Sequence, residues 1–149
     1  MSTYRATVDW RCEGDFASRR YSRVHKISFD GGLAVPGTAG PANVNPRYSM
    51  EGAMDPEQAF VASLSSCHML WFLDIAARAG FIAAAYRDEA EGTLAPGADG
   101  KQQMTRVVLR PRIEWTGRAP TEAELADLHH KAHEACFIAN SVKSEVVIE

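Results

Sequence analysis

The segment from Asp55 to Gly80 constrains this chain more than any other part of it. Asp55 can cap the orphan N–H groups of a helix start, Pro56 suits the first helical position, and Glu57 and Gln58 suit the first turn. Gly80 offers the C-terminal stop. On a helical wheel, Phe60, Leu64, Met69, Leu70, Trp71, Phe72, Leu73 and Ile75 point in almost every direction. A helix apolar all round must be covered all round. It is therefore central to its own domain, or its far side is covered by a second subunit. Ala59 to Ala77 is also the one stretch that invites a membrane reading, but Ser63, Ser65, Ser66, His68 and Asp74 interrupt it. A buried helix of a soluble protein, with no membrane partner, is expected.

Around this helix the sequence alternates strand and turn chemistry. Tyr4–Cys12 and Ser22–Phe29 are rich in β-branched and aromatic residues, and Glu13-Gly14-Asp15 lies between them, so an N-terminal hairpin is expected. From Gly31 to Pro56 nine glycines and prolines exclude an α-helix and leave room only for short strands. A loop this long inside a compact domain is often functional. Tyr86–Leu94 and Met104–Trp115 read as two further strands separated by the turn at Pro96–Gly100. Thr121, with Glu124 three residues on, forms a capping-box pattern that opens a second helix with the core stripe Leu125, Leu128, Ala132 and Ala135. Val142–Ile148 closes the chain as a strand. The order is that of an α+β fold in one domain spanning residues 1–149.

With 16 basic against 19 acidic residues, net charge −3, the chain has no basic excess to set against a phosphate backbone, so nucleic acid is excluded as an expected partner. The N-terminus, MSTYRATVDWRCEGDF, has no apolar run of the signal-peptide kind, and a cytoplasmic location is expected. The three cysteines then read as reduced thiols, one or two of them chemically active, and not as a disulfide scaffold.

Cys67 lies in mid-helix, in SLSSCHMLW. A cysteine there is ordinarily a small buried hydrophobe. However, Ser63, Ser65 and Ser66 leave space around it, and the Gly/Pro loop ends close by. A mid-helix sulfur gains little from the helix dipole, so keeping it ionised requires an outside cation. Arg47, in NPRYSMEG, is the candidate, because its planar guanidinium holds a carboxylate and a ligand oxygen together; as a loop arginine it could equally be solvated. Glu57 sits about 15 Å of helical rise before Cys67. It is either a first-turn carboxylate that favours the dipole, or the group that grips Arg47. Cys136, in HKAHEACF, falls beside the inward stripe of the second helix, which suits core packing and equally suits a thiol placed near Cys67. Cys12 has no supporting neighbours and reads as structural. His129, His133 and Cys136 share one helical face, and with Cys67 they would satisfy a tetrahedral zinc site by ligand type. No CxxC or HExxH pattern supports that alternative, and no phosphate-cradling glycine motif or GxSxG elbow is present.

The block NPRYSMEGAMDPEQAFVASLSSCHMLWFLDIAARAGF resembles the OsmC/Ohr family of osmotically induced and organic-hydroperoxide-resistance proteins, on the side of its OsmC branch, and CFIANS resembles that family's second-cysteine region. The resemblance implies antiparallel sheets packed around a long central helix in an intertwined homodimer. It implies a peroxidatic role for Cys67, a resolving role for Cys136, the motif carboxylate for Glu57 and the catalytic arginine for Arg47. In the Ohr branch that arginine comes from nearer the N-terminus, which makes Arg19 and Arg20 outside candidates. The implied activity is reduction of organic hydroperoxides to alcohols through a Cys67 sulfenic acid and a Cys67–Cys136 disulfide. No cofactor and no metal are implied, and a lipoyl- or thioredoxin-type dithiol is the implied reductant. His68 and Phe137 stand where the family often has Phe and Pro. The alternative is a small-ligand or redox-sensing protein of the same fold without turnover.

Overall fold

The long helix, α1 (Pro56–Arg78), is closed at both ends by the residues expected to close it. Asp55 Oδ1 accepts the Gln58 N–H at 2.7 Å, and Gln58 Oε1 accepts the Asp55 N–H at 3.3 Å, a reciprocal cap. At the other end Gly80 turns left-handed, φ 87°. The Gly80 N–H then reaches Ala77 O and the Phe81 N–H reaches Ala76 O, both at 3.0 Å. That pairing is the Schellman pattern, which satisfies carbonyls the helix leaves open. Only one line of α1 is fully buried: Leu64, His68, Phe72 and Ala76, each one turn from the next. Leu70, on another face, is 62% exposed. The chain therefore covers one stripe of a helix that is apolar all round. By length and composition α1 could cross a membrane, but this buried stripe carries the core described below.

The computed structural model describes residues 1–149, and the backbone falls into two compact units, Met1–Ala59 and Phe60–Glu149. In the first, β1 (Ala6–Asp9) pairs antiparallel with β4 (His25–Phe29), which pairs with β5 (Ala34–Gly37). The expected hairpin is more elaborate than the sequence suggested. A second, two-residue hairpin, β2 (Gly14–Asp15) with β3 (Arg20–Tyr21), is inserted between β1 and β4. Its turn lies at Phe16–Arg19, not at Glu13–Asp15. The Asp15 carboxylate accepts both the Ser18 N–H and hydroxyl, and Arg19 takes φ 62°. Gly37 is required where it stands: a Cβ there would lie 2.2 Å from His25 Nε2. The Gly/Pro stretch holds β5 and a 3₁₀ turn at Pro46–Tyr48 and no α-helix, as expected.

In the second unit, β6 (Ile82–Asp88) pairs antiparallel with β9 (Pro111–Thr116). A separate sheet runs β10 (Glu145–Ile148), β8 (Gln102–Leu109), β7 (Glu91–Pro96). It is antiparallel between β7 and β8, while β10 lies parallel to β8. The two long strands expected from the sequence are thus each broken in two. The breaks face each other: Asp88 Oδ1 accepts the Arg110 N–H at 2.6 Å, and its other oxygen accepts the Ser65 hydroxyl. Pro111, with no N–H, begins the next strand. The closing strand is also shorter, because Ala139–Ser141 form a 3₁₀ turn before it.

The second helix, α2 (Glu122–Ala135), has the full capping box: Thr121 Oγ1 accepts the Glu124 N–H at 3.2 Å and Glu124 Oε2 accepts the Thr121 N–H at 2.8 Å. Arg118 grips the same carboxylate, and its hydrogen bonds are the main reason the Glu124 carboxyl is held down to about 2. Two apolar clusters meet on α1. Leu64 packs with Val107 and Leu109 on the β8 side; Phe72 and Ala76 pack with Phe81, Leu128 and Ala132 on the α2 side.

Candidate active site

Cys67 and Cys136 come together. Cys67 stands half-buried on α1, and Cys136 is the residue that ends α2, 1% exposed. Both are free thiols. Burial first, then the neighbouring Cys67 thiol, pushes the Cys136 thiol up to about 11. The Ala139 N–H, donating to Cys136 Sγ at 3.4 Å, works in the opposite direction. Cys136 therefore keeps its proton at neutral pH. Beside the sulfurs, Trp71 on α1 meets Phe137 edge-on at 5.3 Å between ring centroids, so an aromatic contact borders the thiol pair.

Directly behind the sulfurs lies a layer of imidazoles that the sequence reading treated only as possible zinc ligands or as a departure from a family pattern. His68 is 1% exposed and its Nε2 lies 3.0 Å from His129 Nδ1. The two rings lie edge to edge in nearly one plane, centroids 5.3 Å apart and planes 13° apart, and His129 stacks on Phe72 at 4.3 Å. His68 Nδ1 and His133 Nδ1 are buried with no protein partner, as is the Tyr86 hydroxyl of β6. Burial is the main reason both His68 and His129 are pushed down to about 4; the neighbouring His129 and His133 push His68 the same way, and Asp88 partly opposes the shift at His129. Burial likewise raises the Tyr86 hydroxyl. The pair is neutral at neutral pH. Its signal in the sequence was the spacing: His68 falls one turn after Leu64 and one turn before Phe72, on the line that must be buried.

The zinc alternative does not assemble. His129 Nδ1 is engaged by His68, and Cys136 Sγ by the Ala139 N–H; no three His, Cys, Asp or Glu side chains are gathered in a metal-holding geometry.

Arg47 and Glu57 belong to the first unit. The Asn45 side chain caps the 3₁₀ turn by accepting the Arg47 N–H at 3.1 Å, and the exposed guanidinium lies 5.8 Å from the Tyr48 ring centroid. The expected grip of Glu57 on Arg47 is not formed: no ion pair joins them, because the turn directs Arg47 to solvent while the half-buried Glu57 lies beside Gly40. The outside candidates are otherwise engaged, Arg20 with Asp15 at 3.7 Å and Arg19 in the tight turn. The best-held arginine of this unit was not singled out from sequence. Arg23 stacks on Tyr21 at 3.5 Å and donates to the Tyr21 and Arg19 carbonyls. Cys12 is exposed and points to the Gly14 carbonyl.

The chain is similar over its whole length to a structurally known OsmC-like protein of unknown function from Vibrio cholerae: 47% identity, 100% of this chain and 99% of that one covered, TM-score 0.97. Two more distant structures share the fold. An organic hydroperoxide resistance protein from Elizabethkingia anophelis is 19% identical, with 99% and 93% of the two chains covered and a TM-score of 0.70. The organic hydroperoxide resistance protein OhrB of Bacillus subtilis is 20% identical, with 99% and 97% covered and the same TM-score, 0.70. No curated protein matches the chain. The family model described as OsmC-like protein matches residues 49–149, a span that begins just after Arg47 and contains Glu57, both sulfurs and the imidazole layer. The α+β architecture, the long helix carrying one cysteine and the second cysteine at the end of α2 therefore belong to a member of the OsmC-like family.

Proposed function

We propose that this protein is a cysteine-based thiol peroxidase that reduces organic hydroperoxides to alcohols. The observation that supports it is the neighbouring pair of free thiols, half-buried at Cys67 and buried at Cys136, whose proton burial helps to retain. Cys67 attacks the terminal peroxide oxygen as its thiolate. The O–O bond breaks, the alkoxide takes a proton to leave as alcohol, and Cys67 becomes a sulfenic acid. The Cys136 sulfur then attacks Cys67, its proton leaves with the hydroxyl as water, and a disulfide forms. An external dithiol of lipoyl or thioredoxin type, oxidised in turn, restores both thiols. In this reading Arg47 carries the electrostatic role at the peroxide without the grip of Glu57, its guanidinium being exposed and without a carboxylate partner in the single chain. No cofactor enters, and a cytoplasmic location goes with this reading.

The experiment is intact-protein and peptide mass spectrometry after one equivalent of an organic hydroperoxide. A Cys67–Cys136 disulfide is expected, formed at least tenfold more slowly in Arg47→Ala. Oxidation confined to Cys12, or none, would sink the peroxidase reading. A stoichiometric disulfide without turnover in excess dithiol would move the protein to the redox-sensing class.

The working form is assigned as a homodimer, because the chain buries only one stripe of α1 and leaves Leu70 and Phe137 62% and 67% exposed. Sedimentation equilibrium at micromolar concentration should return twice the chain mass of 16.3 kDa. A monomer there removes the dimer.

A further inference from the structure

The two helices that bring the sulfurs together touch at a few places: Cys67 neighbours Cys136, His68 bonds His129, and Phe72 and Ala76 pack with Leu128 and Ala132 of α2. Most of these contacts are apolar, and apolar contacts do not fix position sharply, because their attraction is non-directional. A disulfide, in contrast, needs its Cβ atoms about 3.8 Å apart, and sliding one helix by a single residue moves a sulfur by about 1.5 Å. Something directional has to set the offset. Apart from the thiols themselves, the His68–His129 contact at 3.0 Å is the side-chain hydrogen bond that joins α1 to α2. His68 is the residue next to Cys67, so whatever holds its ring holds the stretch of helix from which the sulfur projects.

We propose that the His68–His129 hydrogen bond is a register clamp, a positioning device that holds α1 and α2 at the offset where Cys67 and Cys136 can join. It rests on the reading of those two cysteines as a redox pair. Stability alone does not account for the imidazole. On a line otherwise made of Leu64, Phe72 and Ala76, an apolar side chain would fill the site without leaving Nδ1 buried and unpartnered. The cost falls on packing and the return is directional.

The clamp is also acid-sensitive. Two neutral imidazoles, or one neutral and one protonated, make an N–H···N bond. Two protonated rings are donors only and repel. Burial pushes both down to about 4, so the bond is intact at neutral pH and lost as pH falls through that value. Between the ordinary 6.5 and about 4 the unfolded chain binds protons that the folded pair refuses, so acid weakens the layer progressively. The groups around the pair oppose its charging, with one exception. His133 of α2 makes charging harder, Phe72 of α1 offers no polar atom, Tyr86 of β6 stays a neutral phenol, and only Asp88 of β6 favours a charge, at His129.

The test is the thiol–disulfide equilibrium of Cys67 and Cys136 in glutathione buffers at pH 7, with the urea midpoint measured alongside. His68→Phe and His129→Leu should each shift the equilibrium about tenfold toward the thiols, the weight of one net hydrogen bond, or about 30 mV for this two-electron couple. The His68→Phe urea midpoint should not fall. His68→Gln, whose amide can still reach His129, should recover most of the shift. Closure of the disulfide after one equivalent of an organic hydroperoxide should slow more steeply below about pH 5 in the natural protein than in His68→Phe, where the loss of thiolate alone acts. An unshifted equilibrium in both apolar variants overturns the clamp, and so does a midpoint that falls in step with the equilibrium with no recovery in His68→Gln. If the natural protein forms no Cys67–Cys136 disulfide in oxidised glutathione, the redox-pair reading fails and takes the clamp with it. If the disulfide forms and the variants match it, the clamp alone is lost.

Discussion

Replacing Cys67 by serine is expected to lower steady consumption of an organic hydroperoxide by at least about a thousandfold, because a hydroxyl in place of the nucleophilic sulfur removes the step that splits the O–O bond. Cys136→Ser should behave differently. Its Cys67 still meets the first equivalent of peroxide, but the sulfenic acid has no buried thiol to close on, and a second equivalent of peroxide oxidises it to sulfinic acid and leaves as a second alcohol. A single turnover followed by a mass gain of two oxygens at Cys67 is the expected signature. Peroxide assays with a dithiol in excess, run beside mass spectrometry, check both variants. Undiminished consumption in Cys67→Ser removes Cys67 from the chemistry. Retained multiple turnover in Cys136→Ser removes the intramolecular disulfide.

The second large effect is on stability. Phe72 is 0% exposed and its ring lies between Tyr86 at 5.8 Å, Trp115 at 6.1 Å and His129 at 4.3 Å. Phe72→Ala should destabilise the fold by about 3–5 kcal/mol, the range for deleting a large buried aromatic group that its surroundings cannot replace. In urea the midpoint should fall with the slope m unchanged, since the surface exposed on unfolding is nearly the same. A loss under about 1 kcal/mol would mean that the α1–α2 layer is not the core it is taken for. His129 would also lose the ring it stacks on, so the imidazole pair should become easier to protonate. The two predictions separate: the serine variants act on chemistry with the fold intact, and Phe72→Ala acts on the fold.

The contrast between what was legible and what was not follows the range of the interactions. Asp55, Pro56 and Gly80 announced both ends of α1 because caps are satisfied within one turn of chain. Thr121 and Glu124 announced α2 for the same reason. The Gly/Pro content of residues 31–56 excluded a helix by dihedral restriction alone. The strand breaks were not legible, because they depend on Asp88 accepting from Arg110, a bond between residues with no local pattern in common. The extra hairpin β2–β3 was missed because a turn at Phe16–Arg19 needs φ 62° at an arginine, which no local preference anticipates. As for the site, the sequence named both cysteines, and their meeting is a consequence of how α2 lies on α1.

By itself, then, the sequence determined the two helices, their ends, the α+β order and the candidate sulfurs, since each is written in contacts a few residues long. Tertiary structure alone decided which side chains face one another. His68 and His129 stand 61 residues apart, and nothing in either neighbourhood specifies the other. Only the burial of one stripe of α1, against β8 at Leu64 and against α2 at Phe72 and Ala76, places a second imidazole at hydrogen-bond distance and a second sulfur beside Cys67. The physical reason is that burial selects a face of a helix, while the partner on that face is chosen by packing of the whole unit.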